Sequence, residues 1–333
     1  MKVLVLHSDV PPDAPPEDQD TIIAARAIAE ALACRGHTTP LAPFQPDALP
    51  ALLKAHRPEA VFNMVEGIDG QGRLAYRAPR LLEEYGVPYT GAGAETLIAT
   101  QDKPGSKRAL REAGLPTPDW AEPPVWEGLG PGRWIVKCAD EDASLGLDDG
   151  AVVEAAQVPA RAAASAARYG WHWFAERYIE GREFNIAVLE ENGAPRVLPM
   201  AEMTFERWPA HRPRIVGYTA KWDDASFDSV QTVRRFGVEQ REPELAAALR
   251  SICERTWKLF GCRGTARIDY RVDAAGQPTI LEINPNPGIA PDAGFVAAAA
   301  ETGLSYADLI EGIVKEALRA CLGIPRGRDT ADF

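Results

Sequence analysis

The chain has 333 residues, with Lys+Arg 36 against Asp+Glu 48 and a formal net charge of −12. That length supports more than one domain with its own core, and the acidic balance speaks against non-specific nucleic-acid binding and against anchoring on anionic membranes. The scattered cysteines (Cys34, Cys138, Cys253, Cys262, Cys321) form no CxxC pair, which fits a reducing cytosol and suggests no zinc site.

In chain order, the apolar run Val3-Leu4-Val5-Leu6 predicts a buried strand, too short for a signal peptide or a membrane span. A Pro- and acid-rich loop follows over 7–20. Thr21 is expected to cap a helix that runs to Ala33 and that Gly36 closes. Ala60-Val61-Phe62-Asn63 ends another strand and leads into the loop 66–72. Residues 77–85 read as helix, and Pro88-Tyr89 as a short strand. Strands alternating with helices imply a mostly parallel sheet, whose ligand-binding loops lie at the carboxyl ends of its strands. His7-Ser8-Asp9 and 63–72 are the candidates; for the glycines of 66–72, a flexible turn and a substrate contact are equally open. There is no GxGxxG, and Gly91-Ala92-Gly93-Ala94 is too short to stand for one.

Residues 97–114 read as one helix carrying Lys103, Lys107, Arg108 and Arg111, ended by Pro116 and Pro118. A second unit follows: the strand Trp134-Ile135-Val136-Lys137, a loop 140–149, an Ala-rich helix 154–169 and a strand 173–179. After the turn Glu180-Gly181-Arg182-Glu183, a strand 184–189 opens the third unit. Its long irregular middle, 205–227, holds Lys221 and Trp222. Helices are expected over 243–259 and 306–321, with a polar tail at 326–333.

Between those helices, Arg267-Ile268-Asp269-Tyr270 and Thr279-Ile280-Leu281-Glu282-Ile283-Asn284 flank a turn at Ala275-Gly276 and predict a β-hairpin. Period-two spacing puts Arg267 with Asp269, and Glu282 with Asn284, on single faces. Two acids and an amide across paired strands suit a hard cation such as magnesium. Taken alone, the same residues also suit a half-exposed hairpin with a wet polar side, and that is the simpler reading.

The order of features resembles the ATP-grasp ligases, in particular the D-alanine–D-alanine ligase-like branch. The resemblance rests on Phe62-Asn63 with its Gly-rich loop, Pro88-Tyr89-Thr90-Gly91, Asp102-Lys103, Ile135-Val136-Lys137, Ser144-x-Gly146, Glu176-x-x-Ile179-x-Gly181-x-Glu183, Ala220-Lys221, Arg267-x-Asp269, and Glu282-x-Asn284 with Pro287-Gly288. It covers about 60–320 and, more weakly, the first 40 residues. It implies an α/β chain, α+β in its ATP-binding part. An N-terminal Rossmann-like (pre-ATP-grasp) domain would span 1–100, a central ATP-grasp subdomain 101–182, a C-terminal catalytic subdomain 183–325 and a flexible tail 326–333, with ATP between the two α+β subdomains.

The resemblance also implies roles. Lys103, Lys137 and Lys221 would meet phosphates, Lys221 from a lid loop. Ser144 would reach the terminal phosphate. Glu176, Tyr178 and Ile179 would take the adenine, Glu183 the ribose, and Ile215 and Leu281 would pack on the base. Asp269, Glu282 and Asn284 would hold one or two magnesium ions, with manganese an allowed substitute. Arg267 and the Gly288 backbone would stabilise the reacting acyl group, and Glu66, Trp222, Asn286 and Asp292 would line the substrate site. The activity implied is a cytoplasmic, ADP-forming carboxylate–amine ligase that works through an acyl phosphate on small molecules, with neither nucleic acid nor membrane as partner; the family's habit allows a homodimer.

Several positions depart from the family. Ala143 stands where a serine precedes the phosphate-loop serine, Trp222 where a tyrosine follows the lid lysine, and Ala293 where a serine holds the acceptor carboxylate. Glu66 replaces a histidine, and the N-terminal Gly-Gly-x-Ser-x-Glu signature gives way to His7-Ser8-Asp9 and the acidic Glu17-Asp18. Each hydroxyl lost from a buried carboxylate costs about 1–3 kcal/mol, which argues against D-alanyl-D-alanine as the main product. Glu66 and Asp292 are expected to repel a free carboxylate and to suit an amine or a larger polar partner. The ATP half thus reads as intact and the amino-acid half as rewritten. The alternatives are a D-alanine–D-alanine ligase proper, another ATP-grasp branch (against which the 284–288 turn and the Phe62-Asn63 loop argue), or a nucleotide-binding homologue without ligase activity (against which the retained Arg267 argues).

Overall fold

The strands lie in three sheets: the first is built from continuous buried runs, while in the third apolar and polar residues alternate between its two faces. The computed structural model describes residues 1–11, 13–141 and 144–321. Ala143, the tail 326–333 and the side chains of Glu17 and Asp18 lie outside the described residues. Among the described residues no helix is long and apolar enough to cross a membrane.

The first sheet is parallel: Val3–His7 lies between Leu41–Pro43 and Ala60–Met64, and Tyr89 bridges in parallel to Val61. The first helix is longer than expected, spanning Pro16–Cys34. Pro at the start of a helix needs no N–H donor there, so helix begins well before Thr21. Thr21 is not its cap; its hydroxyl donates to Glu66 Oε2 at 2.5 Å. The expected single helix over 97–114 is two, Ala94–Gln101 and Lys103–Glu112, broken at Asp102. There the backbone is extended and the carboxylate accepts from the Gly105 N–H at 2.9 Å.

The second sheet is antiparallel, in the order Trp120–Ala121, Trp173–Arg177, Arg133–Cys138, Val152–Glu154, and the helix Val158–Tyr169 packs on it. The third sheet, also antiparallel, runs Thr232–Arg235, Ala201–Phe205, Arg182–Glu191, Thr265–Val272, Pro278–Asn284, with Ala194–Val197 beside Arg182–Glu191. One face, with Phe184, Ile186, Val188, Ile268, Tyr270 and Ile280, is fully buried in a core shared with the helix Pro243–Phe260. Burying each such side chain is worth about 1.5–3 kcal/mol, which sets the register and turns the polar alternates to the other face.

Two features lie outside what periodicity shows. The stretch 205–227 is less irregular than expected: Lys221 sits in the short helix Tyr218–Trp222, and Phe227–Gln231 is helical too. The C-terminal helix Tyr306–Cys321 shares a core with the first parallel sheet and the helix Pro16–Cys34. The first described strand and helix are thus packed against the last described helix.

The turn before Arg182–Glu191 has no room for a side chain. A Cβ at Gly181 would lie 2.1 Å from the carbonyl oxygen of Val272. Gly181→Ala is expected to destabilise the protein by about 2 kcal/mol or more, because backbone must move. An unchanged urea midpoint would count against this packing.

Candidate active site

The third sheet's polar face carries the site in rows, because directly opposed residues of antiparallel strands share a face. One row runs Arg234, Met203, Glu183, Arg271; the next Ala201, Asn185, Asp269, Glu282; the third Ala187, Arg267, Asn284. The predicted hairpin forms, as Thr265–Val272 with Pro278–Asn284. A register irregularity after Asp269 leaves Asp269 opposite Glu282 and Arg267 opposite Asn284.

Two cavities open over this face. The smaller, about 110 Å³, lies between the second and third sheets. It is lined by Lys137, Ser144, Glu176, Tyr178, Ile179, Glu183, Ile215, Asp269 and Leu281, among the residues expected to hold a nucleotide and metal. The larger, about 970 Å³, is lined by Glu66, Trp222, Asn284, Asn286, Gly288 and Asp292 together with Ser8 and Asp9. Asn185, Val216, Lys221, Arg267 and Glu282 line both, so the cavities meet at those side chains. Of the residues expected from sequence, Lys103 lines neither. It is buried and donates to the Glu141 carbonyl at 2.8 Å.

The charges are tightly interlocked. Glu176 is 1% exposed, and its two carboxylate oxygens lie 2.5 Å from Lys107 Nζ and 2.5 Å from Lys137 Nζ. Burial pushes its carboxyl up, but the two ammonium groups outweigh burial and leave it below the usual range. Glu183 is paired with Arg271 at 2.8 Å; burial still pushes its carboxyl up, against that guanidinium. Arg267 clasps Asp269 with two bonds, Nε to Oδ1 at 2.8 Å and Nη2 to Oδ2 at 2.9 Å, and reaches Glu282 at 3.8 Å. Burial acts to raise the Glu282 carboxyl, yet Lys103, Lys221, Lys137 and Arg267 hold it at about 2. It is therefore ionised at neutral pH and fit to meet a cation.

Asp269, Glu282 and Asn284 share one sheet face, and Asn284 Oδ1 already accepts from the Asn286 N–H at 3.0 Å. Among the described residues no cluster of three His, Cys, Asp or Glu side chains forms an all-protein metal cage. Two carboxylates and an amide are the sparse oxygen set that suits magnesium when substrate phosphates supply further ligands.

The loops around the clefts are held from both sides. Ser144 has φ +61°, and its hydroxyl donates to the Val216 carbonyl at 3.1 Å, tying the phosphate-loop candidate to the lid candidate. The Tyr218 N–H donates to Leu147 O at 3.1 Å, and Arg212 bridges Asp149 and Asp228 with bonds of 2.7–2.9 Å. Gly146 has φ +67°, and a Cβ there would meet the Trp173 ring at 2.5 Å. In the first domain Ser8 Oγ accepts from the Glu66 N–H at 2.9 Å and the Gly67 N–H at 3.2 Å, which joins the two loops singled out at the strand ends.

Sequence reasoning missed Lys107, Asn185, Arg271 and Arg234 as site residues. Three of them carried a signal: Lys107 is four residues beyond Lys103 on the helix Lys103–Glu112, and Asn185 and Arg271 each follow a site residue by two on a strand. Arg234 carried none, because the strand Thr232–Arg235 was not foreseen.

Comparison with known proteins gives a consistent picture. A family model described as D-ala D-ala ligase C-terminus matches residues 133–315. An uncharacterized protein, y4sG, of Sinorhizobium fredii is 35% identical over 324 residues, covering 94% of this chain and 91% of that protein. The D-alanine–D-alanine ligase of Moorella thermoacetica is 31% identical over 317 residues, covering 91% of this chain and 96% of the relative. Among solved structures, the D-alanine–D-alanine ligase of Bacillus anthracis complexed with ATP superposes with a TM-score of 0.74 at 20% identity, over 97% of this chain and 99% of that one. The fold is shared with that ligase, as the resemblance implied.

Proposed function

Because the chain belongs to the D-alanine–D-alanine ligase family of ATP-grasp proteins, we propose that it is an ATP-dependent carboxylate–amine ligase acting on substrates other than two D-alanines. The observation that carries the reading is the junction of the two cavities, where Lys221, Arg267 and Glu282 face both. A nucleotide in the smaller cavity and a carboxylate in the larger would meet there. The substrate carboxylate attacks the γ-phosphorus of ATP, giving an acyl phosphate and ADP. The amine then attacks the acyl carbon, and the tetrahedral intermediate collapses with loss of phosphate.

The protein's part is positioning and electrostatics. Lys137, Lys221 and Lys103 supply positive charge for the phosphates, and Ser144 supplies a hydroxyl at the terminal one. The backbone at Tyr178 and Ile179 takes the adenine, with Ile215 and Leu281 packing on it. Glu176 orders Lys107 and Lys137 as well as facing the adenine amino group, and Glu183 holds the ribose. Asp269, Glu282 and Asn284 would hold magnesium, which would neutralise charge on the phosphates. Arg267 and the Gly288 backbone stabilise the oxyanion. In this reading 1–100 is the pre-ATP-grasp domain, and 101–182 and 183–325 are the ATP-grasp pair, acting on small molecules in the cytoplasm.

The test is ADP release with magnesium, a panel of carboxylic acids, and hydroxylamine as a small universal amine. At least one acid is expected to give hydroxamate together with ADP. Nucleotide binding without turnover on any acid would favour the non-catalytic homologue. The name of the Moorella relative keeps a second reading in view, D-alanine–D-alanine ligase proper. D-alanyl-D-alanine formed from D-alanine at ordinary enzymatic rates would establish it.

A further inference from the structure

The acid expected to meet a ribose is not alone in its wall of the smaller cavity. Glu183 lies directly opposite Arg271 on the neighbouring strand Thr265–Val272, and both line that cavity. Glu183 is 7% exposed and Arg271 3%. A charge so deeply buried is costly unless an opposite charge meets it. Arg271 Nη2 supplies that charge, 2.8 Å from Glu183 Oε2. Among the described residues no hydrogen bond reaches Oε1, so one carboxylate oxygen is held and the other remains an acceptor.

The guanidinium is itself fixed by backbone. Nη1 donates to the Gly181 carbonyl at 3.1 Å, and Nη2 also donates to the Arg214 carbonyl. Gly181 belongs to the turn that has no room for a side chain, and Arg214 adjoins Ile215, which lines the same cavity. The guanidinium carbon is 5.7 Å from the Tyr178 ring centroid and 5.9 Å from that of Phe205. With two carbonyls and two rings around it, the planar fork is held in one orientation. A carboxylate paired with it is oriented in turn. A lysine at 271 could supply the charge but not the plane.

The place of the pair in the cavity says what the open oxygen meets. Glu176, Tyr178 and Ile179 line the end assigned to the base, and Lys137, Ser144 and Lys221 the end assigned to phosphates. Arg271 is beside Tyr178, while Lys137 and Lys221 are near enough to act on the charge of Glu183. The pair therefore stands between the two ends, where a nucleotide has its sugar. A sugar hydroxyl donates to a carboxylate oxygen there; a bare CH₂ leaves that oxygen without a partner, which is the source of discrimination. We infer that Arg271 is a positioning residue that sets the Glu183 carboxylate to accept from a ribose hydroxyl, and so makes the site select ribonucleotides over deoxyribonucleotides. The inference rests on the ligase reading for the nucleotide and goes beyond it by placing sugar selectivity on Arg271.

The intact protein is titrated calorimetrically with ADP, 2′-deoxy-ADP and 3′-deoxy-ADP in the presence of magnesium. The wild type is expected to bind ADP at least about tenfold tighter than one of the deoxy analogues, the worth of a hydrogen bond to a charged acceptor. Arg271→Met is expected to bring ADP to within about twofold of that analogue while changing the analogue's own Kd by less than about threefold. That split separates positioning from structure, since a residue needed only for the fold would weaken all three nucleotides alike. Equal weakening of all three, an undiminished preference in Arg271→Met, or no preference in the wild type overturns the assignment. Arg271→Lys keeps a cation beside the buried carboxylate and decides the matter if Arg271→Met does not fold. Its preference is expected to fall at least about threefold, and a preference equal to that of the wild type overturns the assignment. Failure of the wild type to bind any of the three nucleotides removes the ligase reading and this inference together. A preference that depends on Arg271, with no hydroxamate from any acid, removes the ligase reading alone.

Discussion

Glu282→Ala is expected to lower kcat by about a thousandfold or more, equivalent to roughly 4 kcal/mol of transition-state stabilisation, while the protein stays folded. Glu282 projects onto the cleft face of its strand, whereas its neighbours Ile280 and Ile283 lie in the core shared with the helix Pro243–Phe260. Removing the carboxylate would take one of two acids from the proposed magnesium set and would leave Lys103, Lys221, Lys137 and Arg267 without their shared counter-charge. The measurement is the hydroxylamine assay on the acid that the wild type prefers, with circular dichroism to check folding. Turnover within about threefold of wild type would remove Glu282 from the reaction. Glu282→Gln separates the roles, since it keeps the shape and one oxygen ligand but loses the charge.

Glu176→Ala is expected to cost about 3–5 kcal/mol of stability, the range for stripping a buried charge of its partner. Lys107 is fully buried and Lys137 is 13% exposed at the side chain, and without the carboxylate two ammonium groups share one low-dielectric site. The strand Trp173–Arg177 that carries Glu176 lies inside the second sheet and lines the smaller cavity, so the damage is expected to extend to the proposed nucleotide cleft. The pH dependence has a definite sign. The folded carboxyl lies below its ordinary value, so its stabilisation is complete above the unfolded carboxyl value and is lost as pH falls through the lower, folded one. Urea unfolding of Glu176→Ala and Glu176→Gln checks both points. A midpoint close to wild type in Glu176→Ala would show that the lysines are solvated without it.

The structure also changes the reading of the acceptor side. Asp292 is expected from sequence to repel a carboxylate, but Arg234 shares its surroundings and offsets that repulsion.

Residue types and their local spacing determined most of the proposed nucleotide and metal half. Arg267 had to share a face with Asp269, and Glu282 with Asn284, because strand geometry repeats every two residues, whereas Glu183 came from the resemblance. Ser144, Lys137 and Ile179 followed from the order of short motifs, each weak alone. The resemblance determined the family, and the shared fold agrees with it.

Only the tertiary structure decided which distant charges meet. That Lys107 closes on Glu176, Arg271 on Glu183, and the helix Tyr306–Cys321 on the first sheet depends on strand order and helix packing, which no local period encodes. Arg234 is the sharpest case. It reaches Gly294, 60 positions away along the chain, because an unforeseen edge strand pairs with Ala201–Phe205 and turns its even-numbered residues toward the cavity. Sequence determined the chemistry available on each strand; the sheet's lateral order determined which strands share a cavity.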